Sequence, residues 1–310
     1  MKQERTPSGP TPWPWLRLGL YAAGAVVVLA LVVLGARWYT GTEAGARFLS
    51  DYPGRVALPA TAPVGLPAWL GWQHFLNAFF IVLIIQTGWK VRTVQRPAAH
   101  WVRKNKGLFK SKKAPKRISL DLWLHQSLDV LWVLNGIVFI ILLFSTGQWR
   151  RIVPTSWDVL PNALSAGLQY ASLNWPLENG WVNYNSLQLL TYFLTVFIAA
   201  PLAIITGLRM SSIWPAKAQK LNRFYPIEAA RAVHFPVMLY FVLFVIVHVT
   251  LVLATGALRN LNHMYAAQDG HGWMGFILFA ISVVVMVGAA FLARPIFIGP
   301  VASLMGKVSR

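Results

Sequence analysis

The sequence EAARAVHFPVMLYFVLFVIVHVTLVL, residues 228–253, decides how this chain is built. It is long and apolar enough to cross a bilayer as a helix, yet it contains two histidines, His234 and His248. They are fourteen residues apart, so on a helix they lie roughly 21 Å apart along the axis and only ~40° apart around it. Ionisable residues inside a membrane span are costly and usually functional. The stretch therefore predicts a membrane helix with two functional sites on one face, at two depths.

The composition is that of a membrane protein. Of the 310 residues, 56% are hydrophobic and 12% are charged, which is about half the charged fraction of a soluble domain. The net charge of +19 could indicate a nucleic-acid partner. However, the basic residues fall between apolar runs, where cytoplasmic loops collect Lys and Arg, so no nucleic-acid partner is expected. The absence of cysteine excludes disulfides and cofactors that are held by cysteine.

Six apolar runs predict six membrane-spanning helices. Each run is long enough to cross as a helix, which is the only option in lipid besides a closed barrel. The runs are residues 18–36, 69–89, 120–146, 186–208, 228–253 and 273–293. We interpret the first as a retained span and not as a signal peptide. The predicted fold is an all-α integral membrane protein, in which a four-helix bundle is flanked by one extra span at each end.

The basic residues predict the orientation of these spans. Of the 28 Lys and Arg residues, 22 fall at the two termini and in the connections 90–117 and 209–231, and six fall on the other side. The positive-inside rule then places both termini in the cytoplasm, so we expect a multi-pass protein of the cytoplasmic membrane, surrounded by lipid. The run KSKKAPKR, residues 110–117, is expected to be a solvated loop that sets this topology.

The chain is accordingly divided into three parts. Residues 1–68 hold the N-terminal cytoplasmic segment, the first span and an outer loop, and residues 69–256 hold the four-helix core. Residues 257–310 hold a second outer loop, the sixth span and a cytoplasmic tail.

One outer connection carries a further helical pattern. In residues 147–185, apolar side chains recur at helical spacing, and Asp158 is a candidate N-cap for them. These side chains are Trp157, Leu160, Leu164 and Leu168. The pattern predicts a helix at the membrane interface, a docking platform for an extracytoplasmic partner, or both.

The histidines of the spans sort by depth. His74 lies near the outer end of the second span, and His125 lies near the inner end of the third. The fifth span runs from inside to outside, so His234 is inner and His248 is outer. The four histidines therefore form two level pairs, His74 with His248 and His125 with His234.

Paired neutral imidazoles from facing helices suit the two axial positions of a six-coordinate haem iron. A porphyrin also needs flat space, and two glycines offer it. Gly88 follows His74 by fourteen residues and Gly136 follows His125 by eleven, so each faces the same way as its histidine at the opposite depth. We therefore expect two b-type haems, an outer one and an inner one, each ligated by one level pair.

Other uses of these histidines remain open. A single histidine in a span can bond to a backbone carbonyl, although four at matched depths make that explanation weak. A proton or metal transporter would bring carboxylates to the same site, and only Asp129 lies well inside a span. His100, His263 and His271 are expected to be ordinary interfacial residues.

Three segments carry a resemblance to a known family. They are WQHFLNAFFIVLIIQTG (72–88), LWLHQSLDVLWVLNGIVF (122–139) and ARAVHFPVMLYFVLFVIVHVTLVLATG (230–256). One histidine in each of two helices, none in the next and a pair spaced by fourteen resemble the di-haem cytochrome b subunits of nickel–iron hydrogenases and membrane formate dehydrogenases. The segments ALSAGLQYASLNW (163–175) and TGALRNLNHMYAA (255–267) resemble a branch of cytochrome b/b6 domain proteins that is often paired with a molybdopterin oxidoreductase.

The resemblance implies a quinone-linked electron-transfer subunit of an oxidoreductase complex. A partner outside the cytoplasm, of the molybdopterin-dependent class in that branch, would exchange electrons with the outer haem, and the inner haem would exchange them with a membrane quinone. Arg231 is implied as a propionate partner of the inner haem, and Arg150 and Arg151 as partners of the outer one. The alternative role of these three arginines is that of interfacial anchors. Asp129 is a candidate proton relay, and its alternative role is that of a helix carboxylate paired with a nearby Lys or Arg.

Pro236 is expected to bend the fifth span beside His234, which favours the inner side for the quinone. The alternatives are a ferric-reductase-like haem membrane protein, a histidine-dependent proton or metal transporter, and a cofactor-free anchor. The first of these needs two helices that each carry a histidine pair, and only the fifth span has one.

Overall fold

The computed structural model describes residues 14–105, 115–176, 179–211, 214–215 and 217–309. The described helices are α1 (Pro14–Thr40), α2 (Glu43–Asp51), α3 (Ala68–Thr93), α4 (Leu120–Ser145), α5 (Val159–Ala171), α6 (Ser186–Phe193), α7 (Ala200–Met210), α8 (Gln219–Phe224), α9 (Ile227–Ala254), α10 (Ala257–Tyr265), α11 (Met274–Leu292) and α12 (Pro295–Met305). A 3₁₀ turn covers Gln148–Arg151, and a π-helical segment, Leu194–Ala199, joins α6 to α7. The strands are β1 (His100–Arg103), β2 (Arg117–Ser119) and β3 (Gly306–Ser309).

Six helices of the described chain are long and apolar enough to cross a membrane. They are Trp15–Thr40, Ala68–Thr93, Leu120–Ser145, Ser186–Met210, Ile227–Ala254 and Met274–Leu292. The predicted fold is therefore confirmed: the protein is an all-α, multi-pass membrane protein with six spans.

By its internal packing the chain forms two compact units. The first consists of the described residues up to Val56 together with Ser156–Pro176 and Asn185–Leu187. In it α1 packs against α2 and α5, and the Arg37 Nε donates a hydrogen bond to the Ser172 carbonyl at 2.9 Å.

The predicted interfacial helix is α5, and its apolar stripe remains on the surface. Trp157, just before the helix, is 86% exposed, and Leu164 is 62% exposed, as either predicted role requires. Asp158 stands at the N-cap position, but its side chain does not cap the helix; it accepts a hydrogen bond from the Ser156 hydroxyl at 3.1 Å.

The second unit contains the core spans, in which α3 packs against α4 and α7 against α9. A buried apolar cluster joins the third, fourth and fifth spans through Trp132, Ala199, Val237 and Phe241. Within this cluster, the Trp132 indole also donates a hydrogen bond to the Asn77 Oδ1 at 3.1 Å, which joins α4 to α3.

The fourth span is irregular at its middle. Its π-helical segment ends directly before the turn that contains Pro201, which has no amide hydrogen to continue the regular pattern. The Thr195 hydroxyl in this segment lies 2.8 Å from the Tyr240 hydroxyl of α9. This polar contact fixes the fourth span against the fifth.

The basic connection after α3 takes part in a small sheet, in which β1 pairs antiparallel with β2 on one side and with β3 on the other. The solvated loop was predicted for residues 110–117, of which Arg117 begins β2. The Trp101 indole of β1 donates a hydrogen bond to the Ala302 carbonyl of α12 at 3.0 Å. Lys110, Lys112 and Lys113 of the predicted basic run lie outside the described residues.

The packing of α11 on α10 depends on Gly275. A side chain at this position would overlap the backbone of Asn262, whereas one at Gly288 on the same helix would meet nothing within 4 Å. We expect Gly275→Ala to destabilise the protein by about 1–3 kcal/mol, because overpacking forces the backbone to move. Thermal unfolding in detergent measures this, with Gly288→Ala as the matched control. Equal melting temperatures for the two variants would contradict the packing described.

Candidate functional site

His74 on α3 and His248 on α9 face each other. Their ring centres lie 6.2 Å apart, and the ring planes are inclined by 52°. An imidazole nitrogen lies about 2 Å from a transition metal that it ligates and about 1 Å from its own ring centre, so two rings on opposite sides of one ion have centres about 6 Å apart. The pair therefore fits the two axial positions of one iron. The Nδ1 of His74 is buried and has no hydrogen-bond partner within the residues that the structure describes.

Aromatic rings surround this pair. Phe244 stacks on His248 with ring centres 5.3 Å apart, and Tyr192 meets the same imidazole edge-on at 6.0 Å. Tyr265, from α10, meets His74 edge-on at 5.6 Å. The rings exclude water from one side of the pair.

Arg151 organises the loops next to this aromatic layer. Its guanidinium is 1% exposed, and it donates hydrogen bonds of 2.6 Å to the carbonyls of Gly65 and Gly180. It also lies 5.1 Å from the centre of the Tyr184 ring, which in turn contacts Tyr192. Burial lowers the pKa of Arg151 and raises the pKa of the Tyr184 phenol. The raised pKa keeps the phenol neutral, and the guanidinium remains a cation at physiological pH because arginine is not deprotonated in proteins.

His125 on α4 is oriented by a threonine of α3. Its Nδ1 lies 3.0 Å from the Thr87 hydroxyl oxygen. That hydroxyl directs its single hydrogen to the carbonyls of Leu83 and Ile84, at 2.8 and 3.1 Å. With its hydrogen directed there, the oxygen is placed to accept a hydrogen bond from an Nδ1–H group, and this tautomer of His125 leaves the Nε2 lone pair free for a metal.

His234 on α9 has the same arrangement. Its Nδ1 lies 2.8 Å from the hydroxyl oxygen of Thr206 on α7. This hydroxyl also directs its hydrogen to the backbone of its own helix, to the carbonyls of Leu202 at 2.6 Å and Ala203 at 3.1 Å. The fourth span has no histidine, and its contribution to the site is this threonine.

Glycines border the rings of these two histidines. A Cβ added to Gly88 would lie 3.1 Å from the Cε1 of His125, and one added to Gly207 would lie 3.5 Å from the Cε1 of His234. Gly88 thus lies against the edge of a histidine ring. At Gly136 an added Cβ would meet nothing within 4 Å, so the helix presents free space there.

The structure brings His125 and His234 to the same end of the bundle. Trp89, two residues after Thr87, packs against Phe235, which follows His234, with ring centres 6.3 Å apart. The four histidines thus form two groups along α9, one at each end.

The charged residues singled out in the sequence, Asp129, Arg231 and Arg150, have different surroundings. The Asp129 carboxylate lies 3.7 Å from the His125 Nε2, which is beyond hydrogen-bond distance. In the described part of the chain no Lys or Arg lies within ion-pair distance of Asp129. Arg231 is exposed, one turn before His234. Arg150 lies over the ring of Trp149, 4.9 Å from its centre.

The expectation that His263 is an ordinary interfacial residue is wrong. It is 3% exposed and packs against Trp181, and its Nε2 lies 2.7 Å from the Asp269 Oδ1. Burial lowers the pKa of His263, although Asp269 partly offsets this, and the hydrogen bond from His263 lowers the pKa of Asp269. A neutral imidazole therefore donates to a carboxylate.

The other two histidines outside the spans have different surroundings. His271 is exposed, and His100 lies in β1, 3.2 Å from Arg117.

Comparison with known families fits this arrangement. The family model of prokaryotic cytochrome b561 matches residues 65–266, which include all four histidines of the spans. The chain belongs to the prokaryotic cytochrome b561 family. The resemblance to b-type cytochrome membrane subunits is thereby confirmed. Cytochromes of this family bind b-type haem, and this cytochrome b561 is a membrane haem protein of electron transfer.

One similar protein is the putative protein-methionine-sulfoxide reductase subunit YedZ1 of Azospira oryzae. It is 29% identical to this cytochrome over 201 residues, which cover 60% of this chain and 88% of the relative. No solved structure matches the chain.

The residues around both sites fit haem. The facing imidazoles of His74 and His248, and the Nε2 lone pairs that the threonine contacts leave free on His125 and His234, are groups that can ligate the iron of a haem. Thr87 and Thr206 were not identified from the sequence, and Arg151 was named only as a propionate partner and not for its contacts with the loops. Both threonines belong to Thr-Gly dipeptides, at 87–88 and 206–207, but the same dipeptide also occurs at 40–41, 146–147 and 255–256, so it does not single them out.

Arg151 should tolerate little change. Lysine cannot bridge two carbonyls as a guanidinium does, so Arg151→Lys leaves one buried acceptor unsatisfied, at a cost of about 1–3 kcal/mol. Arg150→Lys is the matched control, because Arg150 only overlies Trp149. Thermal unfolding compares the two variants. If Arg150→Lys lowers the melting temperature as much as Arg151→Lys does, the organising role of Arg151 is wrong.

Proposed function

We propose that this cytochrome b561 carries electrons across the membrane through two b-type haems. His74 and His248 ligate one haem, and His125 and His234 ligate the other. The observation that carries the proposal is the division of the four span histidines into two groups along α9: His74 and His248 face each other with ring centres 6.2 Å apart, and His125 and His234 lie at the other end. When bound, haem supplies a one-electron couple at its iron. The chain supplies the ligands, their orientation and a dry interior between the two sites.

The interior between the sites is apolar. Phe241 lies seven residues from both His234 and His248, about 10 Å along the helix from each. Its ring meets that of Trp132 edge-on, with centres 6.3 Å apart, and both side chains are buried. This pair keeps water out of the space that electrons have to cross.

Further residues are proposed to hold the haems. Gly136 provides flat space for the porphyrin near His74 and His248, and Gly88 allows close approach at the other site. Arg231 pairs with a propionate of the haem of His125 and His234. Arg151, a buried cation beside the aromatic layer, pairs with a propionate of the haem of His74 and His248.

The distribution of basic residues supports a cytoplasmic location for both termini. The haem of His125 and His234 then lies at the cytoplasmic side, and the other haem faces outward. We propose an extracytoplasmic oxidoreductase of the molybdopterin-dependent class as the partner at the outer haem. The relative YedZ1 is named as a putative reductase subunit, which supports a redox enzyme as the partner.

A membrane quinone is proposed to react at the end of the bundle that holds His125 and His234. Two features support this end. The helix α9 continues through Pro236, which lacks an amide hydrogen, two residues after His234. Asp129 lies 3.7 Å from His125 and provides a carboxyl group that can hold the proton that accompanies quinone chemistry.

The histidine pairs can be tested by their spectra. The purified protein should be red, with reduced-minus-oxidised bands of b-type haem and two haems per chain. His74→Ala and His248→Ala should each remove the same spectral component, since both ligate one iron, and His125→Ala and His234→Ala should each remove the other. The exposed His271 serves as the control, and His271→Ala should keep both components. A colourless folded protein, or loss of one component from both His74→Ala and His125→Ala, would overturn the proposal.

The quinone site can be tested separately. Asp129→Asn should slow electron exchange with a soluble quinone analogue at least about tenfold, because it removes a positioned proton carrier. Haem content should stay unchanged. Asp121→Asn, a change of the same kind in the first turn of α4, is the matched control. Wild-type rates in Asp129→Asn would remove Asp129 from the proposed proton path.

A further inference from the structure

Two Thr-Gly pairs occupy equivalent places in the core. Thr87 and Gly88 lie near the end of α3, and Thr206 and Gly207 lie near the end of α7. Each pair touches the histidine of the next span along the chain, through the threonine oxygen and through the glycine surface. We call each pair a Thr-Gly cradle.

We propose that the two cradles fix the tautomer and the orientation of His125 and His234, and that this haem site is therefore built from two equivalent helical hairpins. In each hairpin the first helix supplies the cradle and the second supplies the ligand. The inference rests on the proposed ligation of haem by these two histidines. It adds Thr87 and Thr206 as positioning residues that do not themselves touch the iron.

The chemistry of the cradle follows from the single hydrogen of a hydroxyl group. That hydrogen is directed to the helix backbone, so the threonine oxygen can only accept from Nδ1–H. The adjacent glycine leaves room for the Cε1 edge of the ring, at 3.1 Å from an added Cβ in one cradle and 3.5 Å in the other. The ring is thus held from one side by a hydrogen bond and from another by close contact.

The second helix of each hairpin repeats as well. Thr146 follows His125 by 21 residues and Thr255 follows His234 by 21 residues. Both threonines cap their helices, and each hydroxyl donates a 2.7 Å hydrogen bond to the carbonyl four residues earlier. Each is followed by a glycine with positive φ, which is 76° at Gly147 and 124° at Gly256. The arginines four residues after the caps, Arg150 and Arg259, share this spacing.

The other histidine pair does not follow this repeat. His74 precedes Thr87 by thirteen residues, and the residue thirteen before Thr206 is Phe193. His248 follows His234 by fourteen residues, and the residue fourteen after His125 is Phe139. No cradle holds His74, whose Nδ1 has no partner among the described residues. The two haem sites therefore differ in the groups that face the Nδ1 atoms of their ligands.

A hydrogen bond from Nδ1–H to an oxygen makes the imidazole a more basic ligand and favours ferric over ferrous iron. Removing the threonine oxygen should therefore raise the reduction potential of the haem of His125 and His234. We expect Thr206→Val and Thr87→Val each to shift its ferric-to-ferrous equilibrium about tenfold, which corresponds to 59 mV for a one-electron couple. Loss of haem from this site should become about tenfold easier. The component assigned to His74 and His248 should keep its potential.

The experiment is a spectroelectrochemical titration of the purified full-length protein. Thr206→Ser keeps the hydroxyl and should restore the wild-type potential. Thr250→Val is the matched control: it removes a hydroxyl from the same helix as His234, at an exposed position where that hydroxyl donates to the Ile246 carbonyl of its own helix at 2.8 Å. If Thr206→Val does not fold, Thr206→Ala gives the same test, because it adds no atom to the site.

The inference is wrong if the haem of His125 and His234 has the same reduction potential in the wild type, Thr206→Val and Thr87→Val. It is also wrong if only the component of His74 and His248 shifts. Failure of the proposed function would look different. In that case the wild-type protein lacks two haems, or His234→Ala retains both spectral components. If His234→Ala removes one component and the valine variants leave its potential unchanged, the ligation stands and the cradles are wrong.

Discussion

A polar group inside hydrocarbon has to find its partner within the protein, because lipid offers neither a donor nor an acceptor. Thr87 and Thr206 satisfy this constraint on two sides, since each bonds to its own helix and to an imidazole on the next span. Trp132 does the same through Asn77. Apolar packing alone leaves a helix free to rotate about its axis, because lipid and apolar side chains are equally good neighbours. These few polar contacts fix the rotation of the four core spans against one another, and hence the directions in which His125 and His234 point.

The two ends of the core are built differently as a result. At one end, two equivalent hairpins hold His125 and His234 through hydroxyl groups. At the other, aromatic rings and the buried guanidinium of Arg151 surround His74 and His248. If each end holds a haem, as we propose, the two haems would lie in different environments, and unequal potentials would then favour one direction of electron transfer.

Length, hydropathy and charge were enough to predict the six spans, and helical periodicity was enough to group four histidines by depth. Both depend on properties of single helices. The contacts of Thr87 and Thr206 depend on how neighbouring helices are rotated against each other, which no periodicity within one helix reveals. Arg151 and Tyr184 come from connections, where no repeating pattern exists. His263 was misjudged because its partner, Asp269, follows it through a turn that the sequence does not specify. The sheet was missed because β1 and β3 are short and about two hundred residues apart.

That sheet has a consequence for biosynthesis. β1 follows the second span, but one of its two neighbours, β3, comes after all six spans. Until β3 leaves the ribosome, one edge of β1 has unpaired amide and carbonyl groups, and such an edge is open to other strands. β3 directly follows α12, whose Ala302 carbonyl accepts a hydrogen bond from the Trp101 indole of β1. The sheet can therefore be completed only after all six spans have been synthesised.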